Sequence, residues 1–225
     1  MKHERHTLPA DIERTSMQII ATELAQRGIQ LPPEHAAVIR RVIHTTADFD
    51  YAETLTFTPG AVQKGIQALA DGTVIVTDTN MARAGLSKPA LTQLGSAAYC
   101  FMADPDVADA AKAAGTTRAV AAMEKAAREY PGAVLAVGNA PTALLALCAL
   151  MEQGLRPALI VGVPVGFVNV VESKERLLDT CRRWDVPAII AMGRKGGSNV
   201  AAAICNALLY TAAGTLDPAR RGWQG

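Results

Sequence analysis

Residues 133–152 read AVLAVGNAPTALLALCALME, and the way this stretch divides decides the fold. From Tyr130 to Met151 there is no charged residue, a run long enough by count to cross a bilayer. Pro131 and Gly132 stand at its start, and Gly138-Asn139-Ala140-Pro141-Thr142 interrupts it. Glycine can end a strand in a tight turn, and proline fits the first turn of a helix, where backbone donors are unpaired anyway. The stretch therefore resolves into a buried strand, a turn and an apolar helix, and no membrane span is expected.

The same unit recurs on both sides. Short apolar runs at Thr73–Thr77, Ala97–Met102, Ala133–Val137, Ala158–Val163 and Ala188–Met192 alternate with alanine-rich helical segments. Those segments are Pro59–Ala70, Pro105–Ala114, Ala119–Arg128, Pro141–Gln153, Ser173–Trp184 and Asn199–Thr211. Continuously apolar strands alternating with helices indicate a parallel sheet covered on both faces. Ahead of them, Ala10–Arg27 and a segment from Pro32-Pro33 to His44 carry apolar residues at three- and four-residue spacing and read as helices. The expectation is one domain over 1–225, with residues 1–7 and 214–225 as flexible termini.

Composition removes several function classes. Twenty-two Lys and Arg against 21 Asp and Glu give a formal charge of +1, which argues against broad nucleic-acid wrapping. Aromatics at 4% leave little for base stacking, and 50% hydrophobic against 19% charged residues argues against disorder. Cys100, Cys148, Cys181 and Cys205 are dispersed, with no CxxC or Cys/His ligand spacing, and read as reduced thiols of a cytoplasmic protein. The first sixteen residues have no apolar core of a secretory signal. No metal site is expected.

In open parallel sheets ligands bind beyond the carboxyl ends of the strands. The loops there hold Asp78 to Met81, Asp104-Pro105, Gly138 to Thr142, Val163 to Phe167 and Gly193-Arg194-Lys195-Gly196-Gly197-Ser198. The last has glycines that let backbone N–H groups approach an anion, two cations, and Ser198 or Asn199 to cap the next helix. It fits either an anion site or a turn with solvated charges, and it is not a Walker A loop. Asn139 is expected to cap the helix that follows it. Arg118, opening a helix after Gly115-Thr116-Thr117, is unfavourable against the helix dipole unless a carboxylate meets it. Lys174, beginning another helix beside Glu172, reads as a solvated base. His44 is the proton-transfer candidate: the helix end favours its imidazolium, Arg40 opposes it, and Asp48 or Asp50 could orient the ring.

Taken in order along the chain, these motifs resemble the precorrin-8X methylmutases, the corrin-ring isomerases of cobalamin biosynthesis. The resemblance covers about Leu8 to Tyr210. It rests on Pro9-Ala10-Asp11-Ile12-Glu13-Arg14-Thr15-Ser16-Met17, Arg41 to Asp50, Thr77-Asp78-Thr79-Asn80-Met81, Thr117-Arg118, Gly138 to Leu144, Val163 to Val168 with Glu172-Ser173-Lys174, and Gly193 to Asn199. His44-Thr45-Thr46-Ala47-Asp48-Phe49-Asp50 and Gly193-Arg194-Lys195-Gly196-Gly197-Ser198-Asn199 look more like the cobalt-precorrin-8 branch. Ala119 stands where family members commonly place serine.

The resemblance implies a single-domain three-layer α/β/α sandwich with a mainly parallel, Rossmann-like sheet. It implies a homodimer whose sites use both subunits, and migration of a methyl group from C11 to C12 without an external donor. His44 would be the general acid. Substrate contacts would come from Ser16, Thr79, Arg118, Asn139, Thr142, Gly166, Lys174, Arg194, Lys195, Gly196, Gly197 and Ser198. No cofactor is implied, cobalt belonging to the corrinoid substrate; neither nucleic acid nor membrane is an expected partner. Two other readings stand beside it: an unrelated α/β enzyme of phosphorylated small molecules, and a nonenzymatic corrinoid carrier.

Overall fold

The structure, a computed structural model, describes residues 8–221. Helices α1 (Pro9–Gln26) and α2 (Pro33–Thr46) lead into a short α3 (Tyr51–Thr54) and β1 (Leu55–Phe57). There follow α4 (Ala61–Ala70), β2 (Ile75–Thr77), α5 (Asn80–Ala84), α6 (Lys88–Gln93) and β3 (Ala98–Tyr99). Next come α7 (Pro105–Ala113), α8 (Arg118–Glu129), β4 (Val134–Val137), α9 (Pro141–Glu152) and β5 (Leu159–Gly162). The chain continues through α10 (Val170–Arg183), β6 (Ala188–Ala191) and α11 (Ser198–Ala212) to a 3₁₀ turn, Pro218–Arg221.

The six strands lie in the order β1-β6-β5-β4-β2-β3, all parallel except β1, which pairs antiparallel with β6. Side chains alternate between two cores. Ile75, Val134, Ala136, Leu159, Val161, Ile189 and Ala191 meet α1, α2, α4 and α11 on one face. Val76, Leu135, Val137, Ile160, Ala188 and Ile190 meet α7, α8, α9 and α10 on the other. Burial on both faces is why the strands read as unbroken apolar runs. The chain steps outward from β2 to β3 and then returns past β2 to β4, so the order reverses between β2 and β4. A crevice opens at the carboxyl ends of strands where the order reverses in this way.

Strand β1 and helices α3, α5 and α6 lack the longer periodic runs of their neighbours. β1 has three residues, Leu55-Thr56-Phe57, directly after a helix, and is held by register rather than composition: Leu55 faces Ala191 and Phe57 faces Ile189. Helices α5 and α6 begin on hydroxyl caps: Thr79 accepts from Ala82 N–H at 3.1 Å, and Ser87 accepts from Ala90 N–H at 3.5 Å.

The tail expected to fray from Gly214 is tied down through Arg221. Its guanidinium donates to both oxygens of Glu13 at 2.8 and 2.9 Å and to the carbonyls of Thr215 and Leu216 at 2.8 Å. The other expected flexible stretches, 1–7 and the end beyond Arg221, lie outside the described residues. The four cysteines are free and buried. Among the described residues no helix is long and apolar enough to cross a membrane, and no cluster of three or more His, Cys, Asp or Glu is placed to hold a metal ion. The 130–151 stretch is a strand and a helix.

Candidate active site

Asp78, at the end of β2, organises the crevice. One carboxylate oxygen accepts from Gly138 N–H at 2.8 Å; the other accepts from Asn139 N–H at 2.8 Å and Ala140 N–H at 2.9 Å. These donors belong to the turn that leads into α9, so a residue sixty positions away holds that turn across the switch point. The cap expected from Asn139 is not made: the N-cap is Ala140, without a side-chain bond, and the Asn139 side chain is exposed on the rim. Burial pushes the Asp78 carboxyl up, and its three backbone donors oppose that push.

The start of α11 closes over the same crevice. Ser198 does not cap its helix, since the N-cap is Gly197 with no side-chain bond; the Ser198 hydroxyl instead lies 2.7 Å from the Thr79 hydroxyl. Gly138 allows this approach, because a Cβ there would sit 2.7 Å from the Ser198 Cα. Thr79 and Ser198, 119 positions apart in the chain, are therefore brought together.

The loops after β5 and β6 are fastened to each other. Gly197 N–H donates to the Val163 carbonyl at 2.8 Å, and Gly166 N–H donates to the Arg194 carbonyl at 3.2 Å. Beneath them Lys174, expected to be solvated, is fully buried. Its ammonium donates to the carbonyls of Gly193 and Lys195, both at 2.8 Å. Burial without a carboxylate partner pushes it down to about 8. Lys174 thus holds the glycine loop from below. Arg194 stays exposed, its guanidinium 5.5 Å from the Phe167 ring centroid; Phe167 itself is 82% exposed.

His44 reaches this rim because β1 is antiparallel. The start of β1 lies beside the carboxyl end of β6, where Met192 N–H donates to the Thr54 carbonyl at 2.8 Å. The connection after α2 is clamped there by Lys195, whose ammonium meets Asp48 and Asp50, each at 2.6 Å. Those hydrogen bonds hold Lys195 above the ordinary lysine range, and the Lys195 contact holds Asp48 below the ordinary carboxylate range. The two acids expected to orient His44 are bonded to Lys195 instead. The ring lies half-buried in a cavity of about 280 Å³ with Ser16, Ile19, Ile20, Glu23, Ala47 and Phe49. Ser16 spends its hydroxyl on the Ile12 carbonyl at 2.9 Å. Burial pushes the imidazole down, and Arg41 rather than the expected Arg40 adds to that.

Arg118 opens α8 as expected, exposed, behind a Thr117 cap that accepts from Val120 N–H at 3.3 Å. The Thr117 and Thr142 hydroxyls lie 3.1 Å apart, joining the starts of α8 and α9. No described hydrogen bond or ion pair links this group to His44: the two stand on opposite helical layers. A groove of about 820 Å³ between α8 and α9 shares Thr142 with the rim. Its other polar lining residues are Glu124, Arg128 and Gln153.

Asp78, the Glu13–Arg41–Arg221 cluster and Phe167 are features of this end of the molecule that periodicity did not single out. Asp78 and Phe167 lie in loops expected at the strand ends, whereas the pairing of Glu13 with Arg41 and Arg221 spans positions too far apart for a local pattern to join.

Comparison with known proteins places these features in a family setting. The family model described as precorrin-8X methylmutase matches residues 11–211. The cobalt-precorrin-8 methylmutase of Leptospira interrogans is 44% identical over 207 residues, covering 90% of this chain and 93% of that protein. The precorrin-8X methylmutase of Pseudomonas aeruginosa is 40% identical, covering 88% of this chain and 93% of its own. The crystal structure of precorrin-8X methylmutase from Thermus thermophilus superposes with a TM-score of 0.80 at 40% identity, over 90% of this chain and 98% of that one.

Proposed function

This chain belongs to the precorrin-8X methylmutase family, and we propose for it the reaction that its motifs and rim geometry fit. It is an isomerase of cobalamin biosynthesis that moves the C11 methyl group of a corrin precursor to C12. The C11–methyl bond breaks as the C12–methyl bond forms, so mass is unchanged. A proton delivered to the ring by His44 as its conjugation rearranges is balanced by one lost from the ring.

The observation that supports these roles is the Lys195 clamp. It ties the segment that follows His44 to the glycine loop, so a proton donor and an anion-seeking surface share one rim. Arg118, Arg194 and Lys195 then serve the peripheral carboxylates, arginine with two oxygens at once. Asn139, Thr79, Thr142 and Ser198 supply neutral donors. Gly166, Gly196 and Gly197 let the rim loops pack closely on their neighbours and so present backbone to a flat ring, and Lys174 supports the loop from below. The protein supplies position and charge and takes no cofactor of its own. Four free, buried thiols suit a reducing compartment, the cytoplasm.

Cobalt-precorrin-8 is the substrate form favoured by residues 44–50 and 193–199, and the metal then enters with the substrate. Incubation of the purified protein with precorrin-8 and with its cobalt complex tests the reading. Mass should stay constant while one methyl resonance moves, faster for the cobalt form; a methyl pattern unchanged in both would refute the isomerisation.

The homodimer belongs to the same proposal. A 280 Å³ cavity is below the roughly 300–1,000 Å³ of drug-sized ligand sites, and a tetrapyrrole is larger than most drugs. A second copy would complete the site, His44 coming from one subunit and Arg118 from the other. Co-expression of His44→Ala with Arg118→Ala chains then leaves one intact site in each mixed dimer. Random pairing makes half the dimers mixed, so about a quarter of wild-type activity should return. Activity no higher than that of the separate variants would put both residues in one subunit's site.

A further inference from the structure

The three N–H groups of the turn into α9 are of the kind that open α/β sheets offer to a ligand phosphate or carboxylate at the switch point. Here they are already spent on an internal anion. Asp78, 1% exposed, accepts from Gly138 on one carboxylate oxygen and from Asn139 and Ala140 on the other, at 2.8 to 2.9 Å. Its own N–H donates to the Ala136 carbonyl at 3.0 Å, which fixes its backbone to β4. Asp78 thereby joins two groups of rim donors. On its own side the next residue, Thr79, meets the Ser198 hydroxyl at 2.7 Å. Across the crevice the turn it holds carries Asn139 and leads to Thr142, whose hydroxyl lies 3.1 Å from that of Thr117, the residue before Arg118. Gly138 is the point of contact between the two groups: a Cβ there would lie 2.7 Å from the Ser198 Cα and 3.0 Å from the Gly197 carbonyl oxygen.

We propose that Asp78 is a positioning residue for substrate binding: its carboxylate sets the turn at 138–140 against the start of α11, and so fixes the spacing of Thr79 and Ser198 from Asn139 and Thr142. This rests on the reading of the rim as the corrinoid site. A neutral side chain of the same size cannot replace it. In Asp78→Asn the amide oxygen can face the paired donors of Asn139 and Ala140, but the amide nitrogen then faces the Gly138 N–H, donor against donor. The turn must give way at the residue that packs on Ser198. Among the described residues no hydrogen bond or ion pair joins Asp78 to His44, so the acid keeps its place.

Turnover and substrate titration of the full chain test this. Asp78→Asn should raise KM and the dissociation constant about tenfold, the equivalent of one lost hydrogen bond to a charged group. The effect on kcat should be much smaller, because misplaced binding groups weaken ground state and transition state alike. Ser198→Ala should weaken binding in the wild-type background and add little in the Asp78→Asn background, where its contact is already displaced. Asp78→Ala is the second variant: formate returns a carboxylate to the three donors and should recover most of the lost affinity. Additive effects of Asp78→Asn and Ser198→Ala, wild-type binding by an Asp78→Asn variant that only melts lower, or an Asp78→Ala affinity that formate leaves unchanged would each overturn the proposal. Failure of the corrinoid reading shows elsewhere, as a wild-type protein that neither binds nor rearranges the ring.

Discussion

Replacing His44 with alanine should lower turnover by about 10²–10⁴-fold, the usual contribution of a positioned general acid. The fold should hardly notice. Among the described residues the ring makes no hydrogen bond, and it sits half-buried at the mouth of a small cavity rather than in either core. Substrate titrations should therefore stay close to wild type, as should the melting temperature. The pH dependence has a definite sign. Because the free His44 lies below its ordinary 6.5, the protonated acid is lost early as pH rises. The kcat/KM of wild type should fall with rising pH through that depressed value, while kcat falls only at higher pH, once bound carboxylates have raised it. Turnover in His44→Ala comparable to wild type, or a pH fall that survives the substitution, would reject His44 as the acid.

The parts of the fold that were legible are those where one local pattern is sufficient. Strands β2 to β6 are apolar on both faces, which only a covered parallel sheet produces, and their carboxyl ends locate the rim. What escaped depends on partners far away in sequence. Lys174 looks solvated in the first turn of an amphipathic helix until residues 193–195 fold over it and offer two carbonyls. Asp48 and Asp50 lie near His44 in sequence, yet a lysine some 145 positions away takes both. Asn139 resembles a cap, but the helix starts one residue later, with Ala140 at its N-cap, and Asp78 reaches across the crevice to hold the N–H groups of the turn before it. Strand β1 exists through its register with β6, which three residues cannot announce. Residue chemistry alone reached an anion-binding α/β protein; the ordered motifs carried the reaction.

Gly196→Ala is the substitution with the largest expected structural effect. At φ +157° an alanine Cβ would lie 2.1 Å from the Val163 carbonyl oxygen, 2.8 Å from its carbon and 2.9 Å from the Pro164 oxygen. These are backbone atoms at the end of a central strand, so no side chain can rotate away. The same Val163 oxygen already accepts the Gly197 N–H. Moving the loop outward would also draw the Lys195 carbonyl from the buried Lys174 ammonium, and one hydrogen bond to a buried charge is worth about 1.5–3 kcal/mol. With the strain added, a loss of about 3 kcal/mol or more is expected, near 6–12 °C in melting temperature at this chain length. Gly193→Ala supplies the control. Its φ of +76° is also unfavourable to a side chain, but nothing lies within 4 Å of the added methyl, so about 1–2 kcal/mol is expected from the backbone alone. The difference between the two isolates the close approach from the conformation. Equal melting temperatures for the two variants would mean that the contact between the β5 and β6 loops does not hold the rim, and with it would go the argument that Lys174 positions the glycine loop for substrate.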